Sequence, residues 1–361
     1  RDVLGSRGLG DVYKRQITSF SSCAIKNNSE QNHLVYYTLN DEDSLSWIIE
    51  KYNKYCINSN NPSFQVEIVK FDSEQEMSTQ ISTEIMAGSG PDIISLGQKL
   101  PFEKLIESRS LMNIYDLLKA DNSSNAINLD DYNVNILNAG VYDNGLYIVP
   151  LFYGVDVLVS TEERLKNFDI KENNGFSLTY SNFSDVFENY FLNDEGYSFV
   201  SNELSDFLWF DYPMQLFCRF LNSYVDFENK AVYFDTDEFK DNLDVMMQML
   251  TISQKNNTNE LFDGLYINRS FPLMAGSYSY YQSINETPVV FRGLTKSKDV
   301  NSAHIQVGYA INNNTQLKAQ ALAFIKYTLS DEIQEIGATA SGSLSFPVNM
   351  SVYDNAKLVA L

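Results

Sequence analysis

An α/β protein built on a mainly parallel, helix-covered sheet is the fold class this sequence predicts. Three observations carry it. From residue 33 onward, short β-branched and aromatic runs alternate with segments of helical apolar periodicity. Capping residues and glycine–proline stops separate them. The length of 361 residues, 44% of them hydrophobic, supplies core for about two domains.

His33 to Leu39 is β-branched and aromatic and reads as a strand. Leu45, Ile48, Ile49, Tyr52 and Tyr55 then recur at helical spacing after the acidic and Ser residues 41 to 44, which suit a helix start. Phe64 to Phe71 alternates Phe64, Val66 and Ile68 with polar neighbours, a second strand. Ser73 and Glu76 form a capping box ahead of a helix whose face is Met77, Ile81 and Ile85. Gly88 and Gly90 end that helix, Pro91 prevents its continuation, and residues 92 to 96 make a third strand. Further on, Tyr224 to Phe239 reads as a hairpin turning at residues 228 to 230, followed by a capping box from Asp235 to Glu238. The triplet Asp235-Thr236-Asp237 is read as helix capping rather than as metal ligands, and Asn122-Ser123-Ser124 as a polar loop.

Composition excludes several classes of function. With 47 acidic residues against 26 basic ones the net charge is -21, and nucleic-acid binding needs the opposite balance. No run of 18 apolar residues occurs that would span a membrane. The three cysteines, Cys23, Cys56 and Cys218, lack metal-binding spacing; Cys56 and Cys218 both read as buried free thiols. The two histidines, His33 and His304, lie far apart, so neither a zinc site nor a Ser-His-Asp triad is expected, and no cofactor is called for.

The same residues carry a family resemblance. Residues 84 to 93, Glu-Ile-Met-Ala-Gly-Ser-Gly-Pro-Asp-Ile, resemble the helix-to-strand motif of family 1 extracellular solute-binding proteins. Residues 145 to 151, Gly-Leu-Tyr-Ile-Val-Pro-Leu, resemble that family's hairpin and first crossover, with Asp143-Asn144-Gly145 as the turn. Gly308-Tyr309-Ala310-Ile311, then residues 319 to 334 ending Leu-Ser-Asp-Glu-Ile-Gln, resemble its late strand and helix, and Phe346-Pro347-Val348 matches the segment that follows. Residues 153 to 164 depart from the family at Val159-Ser160-Thr161.

The resemblance implies a two-lobed, periplasmic-binding-protein-like fold, each lobe a helix-covered sheet with the ligand cleft between them. Lobe one is then expected at 33–150 with 270–325, and lobe two at 154–270 with 326–361. It implies capture of a small solute, a mono- or oligosaccharide, and delivery to the transmembrane subunits of an ABC importer by hinge closure, with no catalysis and as a monomer. The alternatives are a ligand-sensing lipoprotein for a membrane receptor and a hydrolase with paired carboxylates.

Both ends bear on the domain plan. Residues 1–16 resemble a translated library-adapter sequence and are set apart from the fold. Residues 17–32 resemble the tail of a lipoprotein signal peptide with a polar tether, Ser21-Ser22-Cys23 placing the lipid on Cys23; the membrane is then met only through that anchor. The family continues past its Pro-Val segment, so the chain is expected to be cut short at Leu361.

Ligands of open α/β sheets sit beyond the carboxyl ends of the strands. That rule points to Asn40, Asp41 and Gln98, and to Phe152 and Tyr153 at the crossover. Trp209 opens an expected helix of lobe two, and Tyr278 stands where the family often has Trp. Rings and fixed acceptors together suit a sugar, which has apolar faces and hydroxyls; 23 Phe and 23 Tyr stand against two Trp in the chain.

Overall fold

The structure is a computed structural model that describes residues 33–39, 44–98, 100–155, 157–161, 177–179, 217–218, 220–226, 229–255, 266–268, 288–295, 303–339 and 346–359. Two main sheets organise it.

The first sheet begins with three parallel strands, β1 (Leu34–Leu39), β2 (Val66–Phe71) and β3 (Ile93–Ser95). They alternate with helices α1 (Ser46–Asn58) and α2 (Glu74–Met86). The capping box forms as expected, with Ser73 Oγ accepting from the Glu76 amide at 3.2 Å. Phe64, expected in the strand, instead ends a single 3-10 turn, Pro62–Phe64, because Pro62 starts a turn there and its carbonyl accepts the Gln65 amide. The expected α1 face is buried at Leu45, Ile48, Ile49 and Tyr52 and departs only at Tyr55. Cys56 is buried while Tyr55 is about half exposed, its ring 5.0 Å from that of Tyr327.

Short helices α3 (Phe102–Glu107), α4 (Ile114–Lys119) and α5 (Val134–Asn138) lead to a small hairpin, β4 (Val141–Tyr142) and β5 (Gly145–Leu146). Its turn is Asp143-Asn144 alone, both with positive φ as a two-residue hairpin loop of this type requires. Gly145 belongs to the strand, where a Cβ would meet the Tyr147 ring at 2.6 Å.

The chain then crosses over. β6 (Val149–Val155) lies in the first sheet and β7 (Val157–Thr161) in the second, which β8 (Ser177–Thr179), β11 (Tyr266–Asn268) and β12 (Pro288–Thr295) complete in the order β11-β7-β12-β8. Between β8 and β11 come the hairpin β9 (Val225–Asp226) and β10 (Ala231–Val232), then α6 (Asp237–Lys255). Thr236 caps α6 rather than Asp235, its Oγ1 accepting from the Phe239 amide at 3.2 Å. The chain returns as β13 (Ala303–Ile311), antiparallel between β3 and β6, and ends with α7 (Lys318–Thr328), α8 (Asp331–Thr339), β14 (Phe346–Pro347) and α9 (Met350–Val359). The first sheet therefore runs β14-β6-β13-β3-β1-β2.

Two expected lobe boundaries are corrected by this topology. β12 was expected in lobe one but pairs with β7 and β8 of the second sheet, so the return crossing falls after residue 295. The segment from 326 was expected in lobe two, yet Tyr327, Leu329, Ile333 and Val348 are buried in the same core as Tyr36 and Tyr52 of the first sheet. Cys218, expected buried, is exposed, and neither it nor Cys56 is in a disulfide.

A buried amide fixes that final segment. Gln334 is fully buried; its Nε2 donates to the Thr328 carbonyl at 3.1 Å and its Oε1 accepts from the amides of Val348 at 2.9 Å and Asn349 at 3.2 Å. Asn349 Nδ2 in turn donates to Asp331 Oδ1 at 2.7 Å. The Gln of the helix motif and the Pro-Val segment are thus two halves of one clamp. Elsewhere Lys326 holds the loop after α4: its Nζ pairs with Asp121 and donates to Ser123 Oγ at 2.6 Å.

Replacing Gln334 by Met removes three hydrogen bonds to buried backbone groups, of which only the Val348 amide keeps a second acceptor, the Leu151 carbonyl at 3.2 Å, and we predict a loss on the order of 2 kcal/mol of unfolding free energy, measured by urea titration. An unchanged midpoint would rule the clamp out. A second prediction concerns acid. The Lys326 ammonium, then the Ser123 hydroxyl and amide, hold the Asp121 carboxyl down to about 2 from its ordinary 3.8. A depressed pKa contributes stability that is complete above about pH 4 and lost as pH falls toward 2. The melting-temperature advantage of wild type over Lys326→Met should shrink across that window; a difference that stays constant from pH 6 to pH 2 would contradict it.

Candidate functional site

The carboxyl ends of β1, β3 and β6 point the same way, and antiparallel β13 starts beside the end of β6, Ala303 opposite Val155. Both crossings between the two sheets, β6 to β7 and β12 to β13, therefore leave from this one edge. Strand order dictates the placement: open α/β sheets offer their crevice at the carboxyl edge.

Gln98 sits there, closing a 3-10 turn (Leu96–Gln98) directly after β3. Its side chain is 2% exposed; Nε2 donates to the Tyr37 carbonyl near the end of β1, tying two strand ends together. Its Oε1 has no hydrogen-bond partner among the described residues. Beside it on β1, Thr38 is 1% exposed and its hydroxyl likewise lacks a partner among the described residues. Ser95, also buried, accepts from the Gly97 amide at 3.2 Å. β13 closes against this turn because Gly308 has no side chain; a Cβ there would meet Leu96 Cδ1 and the Val149 carbonyl at 3.0 Å.

Phe152 and Tyr153 were expected to face the ligand, and the structure gives their rings to packing. Phe152 is 3% exposed and seats on α8, where a Cβ on Gly337 would come to 2.0 Å from its ring. Tyr153 is 6% exposed, its ring 5.4 Å from that of Phe346 on β14, and its hydroxyl accepts from Asn133 Nδ2 at 3.3 Å. Burial pushes its phenol pKa up, so it stays neutral. Both residues hold the crossing strand rather than offer a free face. Asn40, Asp41, Trp209, Tyr278 and Cys23 lie outside the described residues.

The motif that signalled the family sits at the opposite edge and is architectural. Gly88 and Gly90 adopt φ of 78° and 99°, which lets the chain turn into Pro91 and Asp92. The buried Asp92 carboxylate accepts from the Val35 amide at 2.8 Å. Asn312 Nδ2 donates to the carbonyls of Ser89 at 2.9 Å and Pro91 at 3.0 Å. A cavity of about 20 Å³ beside Ser89, Asp92, Asn312 and Thr315 has room for about one water and lies away from the crossings. Thr38 is the residue the sequence analysis passed over. The available signal was its register, since it shares the inward face with Leu34 and Tyr36, where a hydroxyl is out of place.

Among the described residues no group of three or more His, Cys, Asp or Glu side chains is placed to hold a metal, and no helix is long and apolar enough to cross a membrane.

Among solved structures, an ABC substrate-binding protein of Listeria monocytogenes in complex with cycloalternan is similar at 13% identity and a TM-score of 0.59, covering 90% of this chain and 82% of that one. An ABC transporter solute-binding protein of Thermotoga lettingae bound with α-D-tagatose gives 17% identity and a TM-score of 0.55, covering 91% and 84%. Maltose-bound MalE3 of T. maritima gives 16% and 0.53, covering 90% and 84%. These likenesses show a two-lobed α/β fold. No curated protein matches the chain at a significant level. The family model described as bacterial extracellular solute-binding protein matches residues 47–360, nearly the whole described structure, and the chain belongs to that family.

Proposed function

We propose that the protein captures a mono- or oligosaccharide between its two lobes and delivers it to the transmembrane subunits of an ABC importer, without catalysing a reaction. The observation that carries this function is the single edge from which both crossings leave, which lets two lobes close over a solute by bending at the crossings. Family membership supports it, and so do the solutes named for the three proteins of like fold: cycloalternan, α-D-tagatose and maltose. Gln98 supports it chemically, because a buried amide oxygen without a partner among the described residues is what a solute hydroxyl would satisfy. Asn40 and Asp41 follow β1 in the sequence and would supply acceptors, and Trp209 and Tyr278 would supply stacking rings, as the family resemblance implies. Phe152 and Tyr153 contribute by shaping the crossing strand. Cys23 carries a lipid that holds the monomer at the outer face of the membrane.

A thermal-shift screen against maltose, maltotriose, D-tagatose and glucose tests the function: a sugar at 100 times its dissociation constant adds about 2.7 kcal/mol of stability and raises the melting temperature. With a sugar in hand, calorimetry should find Trp209→Ala and Tyr278→Ala weakened by about 1 kcal/mol each and Asp41→Ala by about 1.5 to 3 kcal/mol. If all three bind as wild type does, these site residues are misassigned. For the anchor, the protein expressed behind an intact signal peptide should fractionate with membranes and Cys23→Ser should be released. Equal partitioning of the two forms would remove the lipid from the account.

A further inference from the structure

Among the described residues most buried polar side chains are answered from within, Thr38, Gln98 Oε1 and the Tyr52 hydroxyl being exceptions. Asp92 holds the Val35 amide, Asn312 two carbonyls, Thr315 the Leu317 amide, Gln334 three backbone groups, and Thr328 the Tyr309 hydroxyl at 2.8 Å. Thr38 departs from this pattern. Its hydroxyl is buried on the inward face of β1, in line with Leu34 and Tyr36, and has no partner among the described residues. In a parallel strand, Val fills the same space, is at least as good a β former and leaves nothing unsatisfied, so a Thr here lowers the stability of the protein as it stands. A hydroxyl placed there, with no partner among the described residues, is open to a partner from outside the chain.

Its position says which partner. The register that sets Tyr36 beside Ile93 puts Thr38 beside Ser95, at the last rung before the edge from which both crossings leave. The neighbouring Gln98 holds the Tyr37 carbonyl through Nε2, and its Oε1 has no partner among the described residues. Just beneath the edge thus lie one buried atom that can only accept and one buried hydroxyl that can donate. A single uncharged alcohol complements both, donating to Gln98 Oε1 and accepting from Thr38. A carboxylate or fully ionised phosphate brings no hydrogen for Oε1, and an ammonium brings no acceptor for the Thr38 hydrogen.

We propose that Thr38 reads a hydroxyl of the bound solute together with Gln98, selecting a neutral polyol-bearing ligand, and that the empty protein is less stable for it. The inference rests on the solute-capture function proposed above. Its test compares wild type, Thr38→Val and Thr38→Ser, by melting temperature without ligand and by calorimetry with maltose and D-tagatose. Thr38→Val should melt higher than wild type, on the order of 2 °C, and bind whichever sugar wild type binds about five- to tenfold more weakly, while Thr38→Ser restores most of the affinity. A lower melting temperature for Thr38→Val would mean that the hydroxyl is bonded within the protein and would overturn the inference. So would wild-type affinity in Thr38→Val. A wild-type protein that binds neither these sugars nor any of the wider screen would instead bring down the sugar-capture function, and this inference with it.

Discussion

One carboxylate aligns the first sheet. Asp92 accepts from the Val35 amide at 2.8 Å, its own amide donates to the Val35 carbonyl at 2.9 Å, and its carbonyl receives the Asn312 amide at 2.9 Å. Three strands, β1, β3 and β13, are thereby registered at their far ends by one residue. Because the strands are rigid and few residues long, fixing one end sets where the other end stops. The placement of Thr38, Gln98 and the β6 crossing at a common edge follows from that registration. Without Asp92 the amide of a buried strand would lack a partner, and the strand ends at the carboxyl edge would lose their common origin.

Much of this architecture was legible in the sequence. The β1-α1-β2-α2-β3 unit could be read from periodicity and caps because each of those signals is local: Ser73 caps its own helix, and Gly88 and Gly90 turn their own chain. What was misread depended on partners distant in sequence. Tyr55 is about half exposed, with Tyr327 of α7 over one side of its ring, and nothing near residue 55 announces it. The packing of 326–359 on the first sheet rests on the Gln334 amide meeting Val348 and Asn349, a contact that spacing does not encode.

The edge was legible in outline, and the packing of its side chains was not. Strand order alone locates the edge, so Gln98 could be named from its distance past β3. Aromatic content could not tell Phe152 and Tyr153 from ligand contacts, because a ring that packs on Gly337 or Phe346 looks the same in sequence as one that stacks on a sugar. The more useful signal was a polar residue on an apolar register, Thr38, which draws attention only once the burial of its neighbours is known. The residues that identify the family, Asp92 and Gln334 among them, proved to be those that build the frame.

The chain order of the first sheet bears on how the protein is made. Its middle and one margin, β13 and β14, are supplied by residues 303–347, after the whole second sheet has been synthesised, while their partners β3 and β6 end by residue 155. The ladder between β6 and β13 thus closes a loop of well over a hundred residues, the kind of long-range pairing that slows folding. During export the first 155 residues emerge with the apolar flanks of β3 and β6 uncovered, and they stay so until the late segment arrives. A chain threaded across a membrane from its N-terminus therefore completes this sheet only when β13 arrives, the strand whose Gly308 packs against the Leu96–Gln98 turn.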